Sequence, residues 1–159
     1  KTFASNHKGE PIPDELVEAM RRARDFGKGV HVMHQMFYAA LSFHLYSKSP
    51  DEEETTEVMQ KLQLEYSPFD YVEDTYFHLS FGHLDGYSAL YYTYMWSLVI
   101  AKDIFGEFKK DGLLNSDIAK HYREAILDPG GSRDAAIMLN DFLTRNHSYD
   151  RFAHWLNES

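Results

Sequence analysis

The side chains with the clearest chemical potential lie in one short stretch, FGHLDGYSALYYTYMW at residues 81–96. It contains four tyrosines and one histidine within sixteen residues. Tyr87, Tyr91 and Tyr94 are spaced i, i+4 and i+7, which on a continuous helix would align three phenol hydroxyls along one face. A phenol is a neutral donor that can stabilise a developing oxyanion. The same spacing also suits an aromatic packing seam, so the residues alone leave both interpretations open.

The neighbours of these tyrosines bear on both interpretations. His83 and Gly86 precede the first tyrosine, and a glycine there allows the backbone to turn sharply or to approach a ligand closely. Tyr92 and Trp96 fall on a different helical face, which also carries Val99 and Asp103. We therefore interpret Tyr92 and Trp96 as packing residues.

A second group of candidates is formed by the histidines of the segment VHVMHQMFYAALSFHLYS. His31 and His34 are spaced i, i+3, and His44 follows nearly three turns later, so a metal or haem site is one hypothesis. No Asp or Glu stands at a ligand-like offset, and the flanking residues are apolar, which favours partly buried, hydrogen-bonded histidines instead. The sequence contains no H-E-x-x-H, no G-x-S-x-G and no phosphate-binding glycine loop.

The elements that must position these residues are helical throughout. No run of alternating apolar and polar residues is long enough to predict a strand, whereas apolar residues recur at helical spacing. We interpret 69–86 as mostly loop with at most one short turn of helix, and residues 1–159 as a single all-α, multi-helix, bundle-like domain. The predicted helical segments are 9–27, 30–47, 49–66, 87–110, 115–127, 132–143 and 148–158.

Composition excludes several classes of function. The 159 residues carry a formal net charge of −9 and the basic residues do not cluster, so nucleic-acid binding is disfavoured. The longest run without Asp, Glu, Lys, Arg or His, 86–101, is shorter than the ~20 residues of a membrane span. There is no cysteine, hence no disulfide framework and no thiolate metal site, which fits the cytoplasm. Because the chain lacks both an initiator methionine and a signal-peptide-like start, we expect it to begin inside a longer reading frame.

Four segments together resemble one known family. FGHLDGYSALYYTYMWSLVIAKDIF resembles the C-terminal catalytic segment of the thimet oligopeptidase and oligopeptidase A family of zinc metallopeptidases, whose pattern is approximately F-x-H-x-x-G-G-Y-x-x-x-Y-Y-x-Y-x-W. GLLNSDIAKHYREAILDPGGSRDAAIMLNDFLTR is similar to the family's ending. HKGEPIPDEL and HQMFYAALSFHLY resemble two upstream family segments, so the resemblance covers nearly the whole chain in the right order.

The resemblance implies roles for five residues. Tyr94 and His83 would donate hydrogen bonds to the oxyanion formed when zinc-bound water attacks a peptide carbonyl. Tyr87 and Tyr91 would position the substrate backbone, and Gly86 would let the loop approach it. The resemblance thus turns the tyrosines of this stretch toward a peptidase cleft.

The same resemblance implies that the metal site lies elsewhere. In such enzymes the H-E-x-x-H helix and a later glutamate hold zinc, and both precede the part matched here. We therefore expect zinc and short peptide substrates for the intact enzyme only, with no metal ligand in this chain and no activity of the isolated chain. The alternative is a stand-alone helical interaction domain, and in either case exposed apolar surface favours a homo-oligomer of the isolated chain.

Two departures from the family pattern are visible. Only one glycine precedes Tyr87, so the segment between His83 and Tyr87 is one residue shorter than usual, which could shift His83 relative to the tyrosines. In the upstream helix the family's arginine, aspartate and histidine are replaced by His34, Ser42 and Tyr46. We interpret these three as structural partners that changed together and assign them no functional role.

Overall fold

The computed structural model of the protein describes residues 4–49 and 54–158. Within these ranges the chain forms nine α-helices and no strand, apart from one isolated antiparallel bridge between Ser5 and Pro11. The helices are α1 Asp14–Arg24, α2 Lys28–Ser47, α3 Thr55–Tyr66, α4 Phe77–Ser80, α5 Leu84–Tyr87, α6 Thr93–Asp111, α7 Ser116–Tyr122, α8 Ala135–Leu143 and α9 Asp150–Asn157. The all-α fold class predicted from the sequence is confirmed, and each predicted helical segment overlaps one of these helices.

The larger apolar core lies between α2 and α3. Leu41 of α2 and Met59 of α3 are fully buried, and Phe81, which follows α4, belongs to the same core. Each large apolar side chain buried in this way stabilises the fold by about 1.5–3 kcal/mol. The core therefore fixes α2 directly beside the aromatic stretch 81–96.

Three helices begin at side chains that accept hydrogen bonds from free amides of the first turn. Asn115 caps α7 and Asp134 caps α8, each through its Oδ1 atom. The sequence predicts a cap at Asn115 or Ser116 for α7 and at Ser132 or Asp134 for α8, and the structure has Asn115 and Asp134 in these roles. Glu54 caps α3 in the same way. The acidic residues 51–53, predicted to lie with Glu54 in the first turn of that helix, are outside the described residues.

One prediction for the aromatic stretch is confirmed and one is wrong. The segment 69–86 is mostly loop, with α4 and most of α5 inside it, but the helix predicted to begin near Tyr87 begins at Thr93 after a 3-10 turn, Leu90–Tyr92. The physical reason is backbone geometry: Gly86 has φ 106° and Ser88 has φ 49°, and neither value continues a helix. A non-glycine residue in such a region costs on the order of 1–3 kcal/mol, so its surroundings must stabilise it.

A buried charged cluster joins α6 to the chain around α9. The Asp103 carboxylate, only 1% exposed, accepts two hydrogen bonds from Arg145 (2.6 and 2.8 Å) and one from the Ser148 amide (2.8 Å). Arg151 donates to the Asp103 backbone carbonyl (2.7 Å) and to Glu107 (2.8 Å). The α6 face that carries Asp103 is predicted to pack, and it does. At Asp103 the contact is made by ion pairs and hydrogen bonds rather than by apolar side chains.

Because Gly106 of α6 has no side chain, it leaves room for the side chain of Arg151. An added Cβ would overlap Nη1 and Cζ of Arg151, so the guanidinium would have to leave. We expect Gly106→Ala to destabilise the protein by about 1–3 kcal/mol, because the lost charged hydrogen bonds outweigh the ~1 kcal/mol helical gain of alanine.

The control for this change is the same substitution in an Arg151→Ala background. There Gly106→Ala is expected to stabilise the protein, because no side chain obstructs the added methyl group and the helical gain remains. Urea unfolding of the four proteins measures this sign reversal. A destabilisation of equal size in both backgrounds would contradict the role assigned to Gly106.

Several large apolar side chains stay on the surface of the described part of the chain. Phe26 is 91% exposed and Leu114 is 95% exposed. A groove of about 690 Å³ runs beside α6 and is lined by Leu98, Phe105 and Leu113 among others. No helix within 4–49 or 54–158 has both the length and the apolar character needed to cross a membrane.

Candidate functional site

Three of the predicted site residues, all tyrosines, surround the imidazole ring of a fourth, His83. His83 directly precedes α5, Tyr87 ends it, Tyr91 lies in the 3-10 turn and Tyr94 lies in the first turn of α6. The centroid of the His83 ring is 4.9 Å from that of Tyr91, 5.8 Å from Tyr87 and 5.9 Å from Tyr94. The break after α5 folds the stretch back on itself, so a turn and not a single helix face brings these rings together.

His83 and Tyr94 form the polar pair of this cluster. His83 Nε2 and the Tyr94 hydroxyl share a hydrogen bond of 3.2 Å, in which either group donates according to the tautomer of the imidazole. The Tyr94 side chain is 53% exposed and His83 is half-buried, so a ligand can reach both groups. The pair can therefore present two neutral hydrogen-bond donors to one external oxygen atom.

Tyr91 has a different environment. Its hydroxyl donates to Gln35 Oε1 of α2 at 3.0 Å, and its ring packs 5.2 Å from Phe81 and 5.4 Å from Tyr38. Burial raises the pKa of the Tyr91 phenol, and the neighbouring Tyr38 raises it further, so the group remains a protonated donor. The expectation of three hydroxyls along one face is therefore wrong, since the Tyr91 hydroxyl is directed at α2.

Gly86 and Tyr87 form the outer edge of the site. Tyr87 is 62% exposed, and no heavy atom lies within 4 Å of the position that a Gly86 Cβ would occupy. A side chain would therefore fit at this position, but the φ of 106° at Gly86 favours glycine. The residue allows the turn that separates His83 from Tyr87.

The two predicted packing residues behave differently from each other. Trp96 packs edge-on against His147 (5.5 Å) and Tyr149 (5.9 Å), so its packing role is confirmed. Tyr92 is 51% exposed, so the prediction that it packs is wrong for the described part of the chain. The start of α6 at Thr93 explains the difference, because Tyr92 precedes the helix whose face it was assigned to.

Sequence reasoning identified Ser42 and Tyr46 as structural partners but missed the turn that they hold. Ser42 of α2 is fully buried and donates from Oγ to the Ser88 carbonyl at 2.6 Å. The Tyr46 hydroxyl donates to the Leu84 carbonyl. The signal was the spacing of Gln35, Ser42 and Tyr46, which is i, i+7 and i+11 and places three polar side chains on one face of an otherwise apolar helix.

The histidines of α2 do not form a metal site in this structure. His31, His34 and His44 are all exposed, so the expectation of partial burial is wrong, and His34 Nε2 hydrogen-bonds with the Tyr38 hydroxyl. Among residues 4–49 and 54–158, no three His, Cys, Asp or Glu side chains stand close enough to hold a metal ion. The described residues therefore do not fit a zinc ion.

Comparison with known proteins agrees with the resemblance in the sequence. The pattern of Peptidase family M3 matches residues 1–158. Mitochondrial intermediate peptidase of Mus musculus is 30% identical over 151 residues, which cover 94% of this chain and 21% of the relative. Oligopeptidase A of Escherichia coli (strain K12) is 28% identical over 157 residues, which cover 93% of this chain and 23% of the relative. The chain spans between a fifth and a quarter of these curated relatives' length, and it belongs to peptidase family M3.

Proposed function

We propose that this chain forms part of the substrate cleft of a zinc-dependent oligopeptidase that hydrolyses peptide bonds in short peptides. The observation that carries the proposal is the exposed hydrogen-bonded pair of His83 and Tyr94 in a chain of this family. Two neutral donors at one accessible point suit an oxygen atom that becomes negatively charged during the reaction.

In this proposal His83 and Tyr94 act on the tetrahedral intermediate. When water adds to the peptide carbonyl, the negative charge develops on the carbonyl oxygen, and both side chains donate hydrogen bonds to it. Their mutual bond keeps the two donors together until the substrate oxygen takes its place. One such donor supplies about 2.7–4 kcal/mol of transition-state stabilisation.

In this proposal Tyr87 binds the substrate and Tyr91 supports the pair of His83 and Tyr94. Tyr87, exposed beyond Gly86, contacts the substrate backbone near the bond that is cleaved. Tyr91 keeps its hydroxyl on Gln35 and supports the His83 ring from behind, at 4.9 Å. The Tyr91 ring thus positions His83, whereas Tyr87 enlarges the surface that contacts the peptide.

The proposal assigns the zinc ligands to residues outside this chain, because the described residues do not fit the metal. We expect the isolated 159-residue chain to bind zinc no more tightly than a surface histidine does, and to leave a quenched fluorescent peptide uncleaved. Zinc titration by calorimetry and a peptide-cleavage assay check both expectations. The full-length protein serves as the positive control, and zinc-dependent cleavage by the isolated chain would contradict the proposal.

The second candidate is a helical interaction domain, which the exposed groove beside α6 favours. Phe105 is 45% exposed and Leu113 is 59% exposed along that groove. For the isolated chain we propose self-association through such apolar surface. Sedimentation velocity distinguishes the candidates, because a full-length monomer that cleaves peptides favours the peptidase, whereas an inactive full-length oligomer favours the interaction domain.

We also propose that the enzyme works in the cytoplasm on peptides, without nucleic-acid or membrane partners. The chain has no cysteine to oxidise and a net charge of −9, which disfavours binding to polyanions. Fractionation of the source cells tests the location, and recovery of the protein from an organelle or a membrane would contradict it.

A further inference from the structure

The α2 side chains that face the aromatic stretch form an ordered polar row. Gln35, Ser42 and Tyr46 point within about one-ninth of a helical turn of one another, because seven and eleven residues are close to two and three turns. Each donates to or accepts from the segment 84–91: Gln35 from Tyr91, Ser42 to Ser88 and Tyr46 to Leu84. These three polar contacts of α2 thus converge on the segment where the site is built.

Two of these bonds enclose the distorted turn 84–88, which contains α5. Tyr46 binds the carbonyl at the start of α5, and Ser42 binds the Ser88 carbonyl just after it ends. Between them lie Asp85 and Gly86, whose φ/ψ angles of −89°/94° and 106°/−18° are non-helical. Ser88 itself has φ 49° and ψ −126°, so the distorted turn is held at both ends from a neighbouring helix.

The held turn carries the site residues on its two sides. His83 is joined to Leu84 and Tyr87 is joined to Ser88, so each anchored carbonyl is one residue from a side chain of the candidate site. Loss of either anchor would let the turn relax toward ordinary backbone angles and move His83 relative to Tyr94. A misplacement of about 1 Å between catalytic groups can lower a rate on the order of 10²-fold.

We propose that Ser42 and Tyr46 are positioning residues, which hold the 84–88 turn so that His83 faces Tyr94. The inference rests on the proposed function for its catalytic consequence, but the holding of the turn can be measured without any activity. Ser42 is fully buried and loses only one oxygen in Ser42→Ala, while Tyr46 is 49% exposed and loses only its hydroxyl in Tyr46→Phe. Both variants are therefore expected to fold.

The experiment uses the full-length protein and two readouts. Hydrogen–deuterium exchange of a peptide covering 82–92 is expected to accelerate about three- to tenfold in Ser42→Ala and in Tyr46→Phe, since each loses one hydrogen bond that holds the turn. In steady-state peptide cleavage, kcat is expected to fall at least about tenfold with KM within about threefold, because positioning acts on the transition state. A merely structural role would lower the melting temperature without this split between kcat and KM.

Matched controls are available in the same chain. Ser47 donates to the His44 carbonyl and Tyr71 donates to the Thr75 carbonyl, so Ser47→Ala and Tyr71→Phe remove the same groups away from the turn. Both controls are expected to leave the exchange of 82–92 and kcat unchanged. Restored kcat in Ser42→Thr, which keeps the hydroxyl, would further support positioning through the hydrogen bond.

The outcomes separate this inference from the proposed function. Unchanged exchange in both Ser42→Ala and Tyr46→Phe overturns the inference, whatever the kinetics. Accelerated exchange with unchanged kcat also overturns it, provided that Tyr94→Phe does lower kcat. If Tyr94→Phe leaves kcat unchanged as well, the proposed function fails, and the exchange result alone decides whether Ser42 and Tyr46 hold the turn.

Discussion

Replacing Tyr94 with phenylalanine in the full-length enzyme is expected to lower kcat by about 10²–10³-fold while KM stays within about threefold. The change removes one hydroxyl from a side chain that is already 53% exposed, so the fold has little reason to respond. The hydroxyl meets His83 Nε2 at 3.2 Å, which places it where a second donor can reach the same oxygen. An interaction made only with the developing oxyanion affects kcat and kcat/KM alike.

Tyr92→Phe is the matched control for that experiment. Tyr92 is similarly exposed, at 51%, and lies two residues away, but it precedes α6 and shares no hydrogen bond with His83 among the described contacts. We expect its kcat to remain at the wild-type level in stopped-flow cleavage of a quenched peptide. An unchanged kcat in Tyr94→Phe, or an equal loss in both variants, would remove Tyr94 from the mechanism.

The pair His83 and Tyr94 is also expected to act as one unit. Because both donors address one oxygen, His83→Ala and Tyr94→Phe together should cost less than the sum of their separate losses in activation free energy. A double-mutant cycle on kcat/KM measures this coupling. Strict additivity would indicate that the two side chains serve different atoms of the substrate.

The number and type of the main helices could be predicted from the sequence because their signals are local. Asn115 and Asp134 act as caps through bonds to their own first turns, and Gly112 ends α6 with φ 102°, so two or three neighbouring residues are enough to define each end. The positions of the short helices α4 and α5 within the predicted loop could not be predicted, because four residues give no periodicity to detect.

The site could be predicted as a set of residues but not as an arrangement. The spacing of Tyr87, Tyr91 and Tyr94 assumes a continuous helix, whereas the positive φ of Ser88 breaks it. Serine carries no local signal for that conformation, and the contact that accompanies it comes from Ser42, forty-six residues away. The sequence therefore predicted which residues lie together, while long-range contacts with α2 decide which hydroxyls face outward.

The charged cluster around Asp103, which contributes to stability, could not be predicted from the sequence either. The Asp103 carboxylate lies on a mostly apolar helix, and its partners Arg145 and Arg151 follow more than forty residues later. Nothing local distinguishes a buried aspartate with two arginines from a surface aspartate. The charged cluster could be found only when α6 and α9 were placed side by side.

Asp103→Asn is expected to destabilise the folded protein at pH 7 by about 2–4 kcal/mol, since it removes the negative charge from a cluster that keeps two arginines. The Asp103 carboxylate is 1% exposed, while the side chains of Arg145 and Arg151 are 39% and 32% exposed. The partial exposure of the arginines places the expected loss below that of a fully buried pair. Asp141→Asn is the control, because its ion pair with Arg133 has the same short distance, 2.7 Å, but lies on the surface and should contribute less than about 1 kcal/mol.

The pH dependence of the destabilisation by Asp103→Asn distinguishes an electrostatic contribution of Asp103 from a packing contribution. Burial alone would raise the pKa of the Asp103 carboxyl, but hydrogen bonds from Arg145 and the Ser148 amide, together with the charges of both arginines, lower it below its usual value. A carboxyl with a lowered pKa in the folded state stabilises the protein fully above its unfolded pKa of about 3.9, and that stabilisation disappears as the pH falls through the folded value. Urea unfolding of wild type and Asp103→Asn should therefore differ most at neutral pH and converge below about pH 4. A difference that stays constant down to pH 3 would mean that Asp103 contributes through its packing, and that α6 and α9 do not depend on its charge.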